Sequence, residues 1–268
     1  MDAASLAAAV LAAIDNGRQI EPFTTADPAF SEADAYAVTA ELRALRMARG
    51  ERPAGRKIGF TNRNIWEEYG IFQPIWGDVY DTTLDETTPG GIVPVSQLPE
   101  PRIEPEIVLG LERDLSPEMD IGEIAACIGW AAHGFEFVHS IFPQWRFRVA
   151  DCVADGGLHG RLVVGPKRPL SHRDRQTLAA DLSGLGITLR RNGEIADAGT
   201  GANVLDGPVQ ALAHLVAVLG RDGLNPPLRA GEIVTTGTLT RAFPVLPGER
   251  WSTEIAGFAL PGLSVEIG

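Results

Sequence analysis

Two glutamates two residues apart, Glu104-Pro105-Glu106, lead into the apolar run Ile107-Val108-Leu109. Residues two apart in a strand project to one face, so a strand here brings both carboxylates together. At about 4 Å and an effective dielectric of about 20, each such like-charge pair costs about 4 kcal/mol. A shared proton, a cation or solvent exposure relieves that cost. Ile103 and Ile107 hold the alternate positions, as in a strand whose other face is buried. A third carboxylate, Glu136, interrupts a second apolar run, Gly134-Phe135-Glu136-Phe137-Val138, where a lone charge needs a partner. An ion pair or an edge-facing position satisfies it as well as a metal does. If it joins the other two, three oxygen donors with no histidine or cysteine nearby favour a hard cation such as Mg²⁺ or Mn²⁺ over zinc.

Lys57 lies in Gly55-Arg56-Lys57-Ile58-Gly59-Phe60, where glycines allow close backbone approach and apolar neighbours bury the ammonium in part; a surface lysine fits the same letters. Asp78 is a candidate counter-ion for it, or an ordinary turn aspartate. Asp151 and Asp155 are four residues apart, a spacing that serves a helix as well as a loop. His133, His139, His159, His172 and His214 show no metal-ligand spacing. No nucleophile elbow and no phosphate-binding loop occur. Gly199-Thr200-Gly201-Ala202-Asn203 reads as a turn that can also line a pocket.

Holding the carboxylates on one face requires strands, and the texture from Gly55 onward supplies them. Short apolar runs punctuated by Gly and Pro cover 57–60, 103–109, 134–138, 162–164, 186–190, 233–236 and 251–255. Before them the pattern is helical. Leu6, Val10, Leu11 and Ile14 recur at helical spacing, and Ser31 with Asp34 forms a capping-box pattern ahead of Tyr36, Val38, Leu42 and Leu45. One later helix is expected over 208–219. The division read from these patterns is a helical N-terminal lobe, 1–60, on a β-rich catalytic body, 61–268, the two expected to form one continuous domain.

The 268 residues are enough for a substantial core, and Gly 30 with Pro 19 indicates many turns. A net charge of -12 argues against a nucleic-acid or anionic-membrane partner. The N-terminus lacks a basic signal-peptide region and no apolar run reaches membrane-spanning length, so a cytoplasmic protein is expected. Cys127 and Cys152 are expected as reduced core thiols.

In order, the chain carries Gly55-Arg56-Lys57-Ile58-Gly59-Phe60-Thr61, Gln73-Pro74 with Gly77, Glu104 and Glu106, Glu136, Trp145, and Asp151 with Ala154-Asp155. Gly199 and Gly201, Thr235-Thr236-Gly237-Thr238, and Pro247-Gly248 follow. The series resembles the 2-keto-4-pentenoate hydratase and 4-oxalocrotonate decarboxylase branch of the fumarylacetoacetate hydrolase superfamily over nearly the whole chain. The resemblance implies an α+β mixed β-roll with Mg²⁺ or Mn²⁺ on Glu104, Glu106 and Glu136. It implies acid–base and charge-balancing roles for Lys57 and Asp78, and substrate contacts from Asp155, Gly237 and Thr238. The implied partner is a small 2-oxo acid: a 2-hydroxy-2,4-dienoate or its tautomer from aromatic catabolism. A homo-oligomeric hydratase is the first expectation, with a decarboxylase and then a non-catalytic binding protein behind it.

Departures from the family pattern bear on the substrate. Gly156, Gly157 and Leu158 stand where Asn and then Ser are usual, His133 replaces a proline, His214 and Ala217 replace Trp and Asn, and Ile141 replaces an arginine. These changes remove polar groups and leave a tail pocket too apolar for a second carboxylate, unless His133, His159, Arg146 or Arg148 supplies a charge.

Overall fold

The computed structural model of the chain describes residues 2–69, 72–86 and 90–268. Its helices are α1 (Ala3–Asp15), α2 (Phe23–Ala26), α3 (Glu32–Ala48), α4 (Trp66–Tyr69), α5 (Ile121–Ala126), α6 (Val149–Ala154), α7 (His172–Gly184) and α8 (Pro208–Leu219). The strands are β1 (Pro53–Gly59), β2 (Ile75–Tyr80), β3 (Leu84–Asp85), β4 (Ile92–Val93), β5 (Arg102–Leu111), β6 (Ile128–Val138) and β7 (His159–Val164). They continue with β8 (Arg168–Pro169), β9 (Gly186–Arg191), β10 (Glu194–Thr200), β11 (Ile233–Thr235), β12 (Phe243–Pro244), β13 (Arg250–Ala256) and β14 (Ser264–Ile267).

The N-terminal helices form where their caps and apolar stripes predict. Asp2 accepts the Ser5 N–H at the start of α1, and Ser31 and Asp34 cap each other's backbone at the start of α3. Leu6 and Val10 of α1 and Val38 and Leu42 of α3 pack with Ile75, Val138, Phe142 and Val153 of the body in one hydrophobic cluster. The lobe therefore shares its core with the body. The helices of the lobe end at Ala48, and β1 is a strand of the main sheet.

That sheet runs β2-β1-β11-β5-β6-β7-β3, with β12 pairing on β5 and β8 on β6; a second runs β10-β9-β13-β14-β4. Both are mixed: β1 is parallel to β11, and β5 is antiparallel to both β11 and β6. The main sheet sets the positions that matter. Register places Glu104 opposite Glu136 and Glu106 opposite Gly134 across β5 and β6. Lys57 lies opposite Thr235 across β1 and β11.

Besides α8, four of the described helices, α4 to α7, interrupt the β-rich stretch, where α8 alone was expected. In α7 only Leu178 and Leu182 are buried, which leaves a weak apolar stripe. The glycine-rich 199–203 segment is the end of β10 followed by a 3-10 turn. A Cβ at Gly199 would stand 1.9 Å from the Leu239 carbonyl oxygen, so close packing against the 237–239 loop demands the glycine. Cys127 and Cys152 are buried free thiols. Among the described residues no helix is long and apolar enough to cross a membrane.

The capping box closes the first turn of α3, and Ser31 is exposed apart from its contacts with Asp34. Ser31→Ala is expected to lower stability by about 1 kcal/mol, read as a fall in the urea midpoint with unchanged slope.

Candidate metal centre and pocket

Pleating of β5 sends Glu104 and Glu106 to one face, and the cross-strand register adds Glu136 to it. One carboxylate oxygen from each lies within 4.8 Å of the other two. Glu106 and Glu136 are wholly buried, and Glu104 is partly open. Glu106 is held from behind. Its Oε2 accepts the Thr235 hydroxyl and, at 2.7 Å, the Gly237 N–H. Gly237 has φ +100°, and a Cβ there would stand 1.7 Å from the Thr61 hydroxyl oxygen, so only glycine delivers that N–H.

Glu136 is held on both sides. Its Oε1 accepts His159 Nδ1 at 2.8 Å, and Lys57 Nζ lies 3.2 Å from Oε2. Lys57 Nζ also donates to the Gly157 carbonyl at 2.9 Å. Burial works against the Lys57 ammonium, but Glu136, Glu104 and Glu106 outweigh it and raise its pKa above the ordinary lysine value. Burial likewise opposes charge on Glu136, yet Lys57 and His159 hold its pKa below the usual range. Burial and Glu136 push Glu104 up to about 7 against the pull of Lys57. Glu106, buried beside the other two carboxylates, is raised well above the usual range. One ammonium does not neutralise the cluster.

Glu106 Oε1 and Glu136 Oε2 are buried without a hydrogen-bond partner. Carboxylate oxygens gathered within 4.8 Å of one another, all hard donors, fit a divalent cation of the Mg²⁺ or Mn²⁺ type. Lys57 and Glu104 reach the lining of a narrow pocket beside the carboxylates. Ile58, Phe60, Val138, Trp145, Leu158 and Ala242 give it apolar walls, and Gly157, Gly237 and Thr238 also line it.

Two expectations need correction. Asp78 is not the counter-ion of Lys57. Strands β1 and β2 pair Arg56 with Asp78 and Lys57 with Gly77, and alternation turns Asp78 to the face opposite Lys57. There it accepts Arg43 at 2.5 Å and lies 2.8 Å from Arg56 Nη1. Asp155 does not line the pocket either. Its Oδ1 accepts the Leu158 N–H at 2.8 Å, and it faces a separate small chamber with Asp78, Tyr80, Arg46 and His159. Burial raises the Asp155 pKa well above the usual range. Asp151 is a helix cap that accepts the Thr24 N–H and hydroxyl and the Arg148 N–H. Gly237 lines the pocket but spends its N–H on Glu106, and the Thr238 hydroxyl donates to the Thr240 carbonyl at 3.0 Å.

None of the four candidate distal cations lines the pocket. His133 is buried, its Nδ1 lies 2.9 Å from the Glu106 carbonyl oxygen, and burial pushes its pKa down to about 4. Arg146 and Arg148 line a different surface groove. His159 faces Glu136, which also corrects the reading that no histidine stands near the carboxylates. A single histidine without ligand spacing gives no sequence signal for such a contact. The glycine pair at 156–157 did carry one. Gly156, Gly157 and Leu158 have φ +85°, +78° and +65°, and this left-handed turn brings the Gly157 carbonyl to Lys57.

The fumarylacetoacetate (FAA) hydrolase C-terminal family model matches residues 87–262. The chain is 32% identical over 246 residues to 2-hydroxyhexa-2,4-dienoate hydratase of Comamonas testosteroni, covering 91% of this chain and 90% of that one. It is 34% identical over 255 residues to 2-keto-4-pentenoate hydratase of Burkholderia vietnamiensis, covering 95% and 94%. The solved structure of 4-oxalocrotonate decarboxylase from Pseudomonas putida G7, complexed with magnesium and adipate, superposes with a TM-score of 0.90 at 30% identity, covering 99% of this chain and 97% of that one.

A Cβ at Gly157 would stand 3.1 Å from Lys57 Cδ on a backbone that disfavours any side chain. Gly157→Ala is expected to cost about 1–2 kcal/mol of stability by urea titration, the scale of left-handed strain in one residue.

Proposed function

The chain belongs to the fumarylacetoacetate hydrolase family, and we propose that it is a metal-dependent hydratase that converts a 2-hydroxy-2,4-dienoate into a 4-hydroxy-2-oxo acid. The observation that carries this reading is the convergence of Glu104, Glu106 and Glu136 beside Lys57 at the charged end of a pocket with apolar walls. In it, the three glutamates hold Mg²⁺ or Mn²⁺. When bound, that cation supplies Lewis-acid polarisation of the C2 carbonyl of a 2-oxo acid.

The chain's own groups do the remaining work. Lys57 Nζ, kept as an ammonium by the surrounding carboxylates and aligned by the Gly157 carbonyl, carries a proton to C5 of the dienol. The C2 hydroxyl releases a proton in the same stage, so the net change is tautomerisation to the conjugated 2-oxo-3-enoate. Water then adds, hydroxyl to C4 and proton to C3. Phe60, Trp145 and Leu158 shield the tail from solvent. Asp78 acts at a distance, by fixing Arg43 and Arg56 behind β1.

The apolar lining favours an uncharged tail, as in the two hydratases, over a second carboxylate. Among the described lining residues the one cation is Lys57. A second reading, decarboxylation of a 4-oxalocrotonate-type diacid, has one observation in its favour: the Arg102 guanidinium lies 4.2 Å from the centroid of the Trp145 ring in the pocket wall. Both readings place a small 2-oxo acid as the partner, in aromatic catabolism in the cytoplasm, with the chain as a homo-oligomer.

Three measurements test the proposal. With Mg²⁺, 2-hydroxypenta-2,4-dienoate is expected to be hydrated; carbon dioxide release from 4-oxalocrotonate without hydration of the dienoate assigns the decarboxylase instead. Glu104→Gln, Glu106→Gln and Glu136→Gln are each expected to weaken Mg²⁺ binding in calorimetry by more than about tenfold, the loss already typical of an outer-shell group. Unchanged affinity in all three removes the metal assignment. Lys57→Met is expected to cut turnover by about 10²- to 10⁴-fold, and near-normal turnover would deny this lysine a role in proton transfer.

A further inference from the structure

We propose that His159 is the positioning residue for Glu136, and that the Thr83 hydroxyl fixes the histidine tautomer this task requires. The inference rests on the reading of the three glutamates as a metal site. It concerns a residue that stands just after the departures at 156–158.

The argument is an inventory of protons. His159 Nδ1 stands 2.8 Å from Glu136 Oε1, an oxygen of the carboxylate whose Oε2 pairs with Lys57. Two lone pairs cannot meet at that distance, so Nδ1 carries a proton and donates it. In the neutral ring Nε2 is then bare and needs a donor. Thr83 Oγ1 lies 2.8 Å from it. That oxygen already accepts the Tyr80 N–H at 3.2 Å, which leaves it one proton to give. The Tyr80 carbonyl, at 3.1 Å, is the competing acceptor, but giving the proton there leaves Nε2 facing a second lone pair. The inventory for a neutral ring closes in one way: Tyr80 N–H to Thr83, Thr83 O–H to Nε2, Nδ1–H to Glu136.

The donor is held in place from the same strand that carries the histidine. The Leu162 N–H donates to the Thr83 carbonyl at 2.8 Å, and Leu84 pairs with Leu162 where β3 runs parallel to β7. His159 is buried and Thr83 half-buried. With Oε1 occupied by His159, Glu136 cannot rotate its carboxylate without breaking a buried hydrogen bond. This is the outer-shell arrangement known for metal ligands, here with histidine as the support and carboxylate as the ligand.

The test reads the tautomer and the metal separately. In wild-type protein without metal, long-range ¹H–¹⁵N correlation is expected to show His159 protonated at Nδ1 and bare at Nε2. A neutral ring protonated at Nε2 overturns the proposal with no variant needing to fold. Thr83→Val is expected to disturb that tautomer and to weaken binding of Mg²⁺ alone by about tenfold in calorimetry, with Thr83→Ser restoring both. Thr83→Val with wild-type tautomer and Mg²⁺ affinity overturns it. Wild-type protein that binds no Mg²⁺ overturns the metal reading itself, while the tautomer still decides the Thr83–His159 arrangement.

Discussion

Three carboxylates gathered on one sheet face, two of them fully buried, are the constraint around which the rest of the site is built. Their repulsion is unavoidable, because β5–β6 register puts Glu104 directly opposite Glu136 and the pleat puts Glu106 beside them. The fold answers with a small set of donors. Lys57 and His159 serve Glu136, Thr235 and the Gly237 N–H serve Glu106, and Glu104 is left partly open to the pocket. The donors fall short of the charge, and burial with mutual repulsion raises the Glu104 and Glu106 pKa values. An unliganded cluster of this kind opposes folding, and the surrounding core must carry it.

Strand β1 separates two charge networks by alternation alone. Lys57 faces the carboxylates, and its neighbour Arg56 faces Asp78 on the other side, over the Trp76 ring. The helical lobe completes the second network. Arg43 reaches Asp78 from α3, and Arg46 of the same helix pairs with buried Glu51 and lies over Tyr80. Helix α3 thus supplies the body with cations as well as apolar contacts.

How much of this was legible in the sequence follows from how local each feature is. The Ser31–Asp34 cap, the 208–219 helix and most strands are set by neighbours in the chain, and they appear where their patterns predict. The E-x-E pair announces its shared face for the same reason. Glu136 could be suspected from its apolar surroundings, but its meeting with the pair depends on register across 32 residues of chain, from Glu104 to Glu136, which no local pattern encodes. The partner of Asp78 is hidden from the sequence for a related reason. Its partner is decided by which residue of β1 lies opposite, and a shift of one position would have given it Lys57. His159 carried no local signal at all, since its contact arises only where β7 joins β6.

The departures at 156–158 can now be read as chemistry. Where the family pattern has polar side chains, this chain has a left-handed turn whose backbone does the polar work: the Gly157 carbonyl takes the Lys57 ammonium. A carbonyl accepts hydrogen bonds and cannot donate one, so this substitution keeps the lysine aligned but offers nothing to an anionic group. Leu158 then turns an apolar side chain to the same pocket, beside Phe60 and Trp145. The polar contacts are thereby concentrated at the carboxylate end, where the proposed function puts the charged head of a 2-oxo acid. The far end is left to size and hydrophobicity, a form of selection that separates tails differing in charge well and tails differing by one methylene poorly.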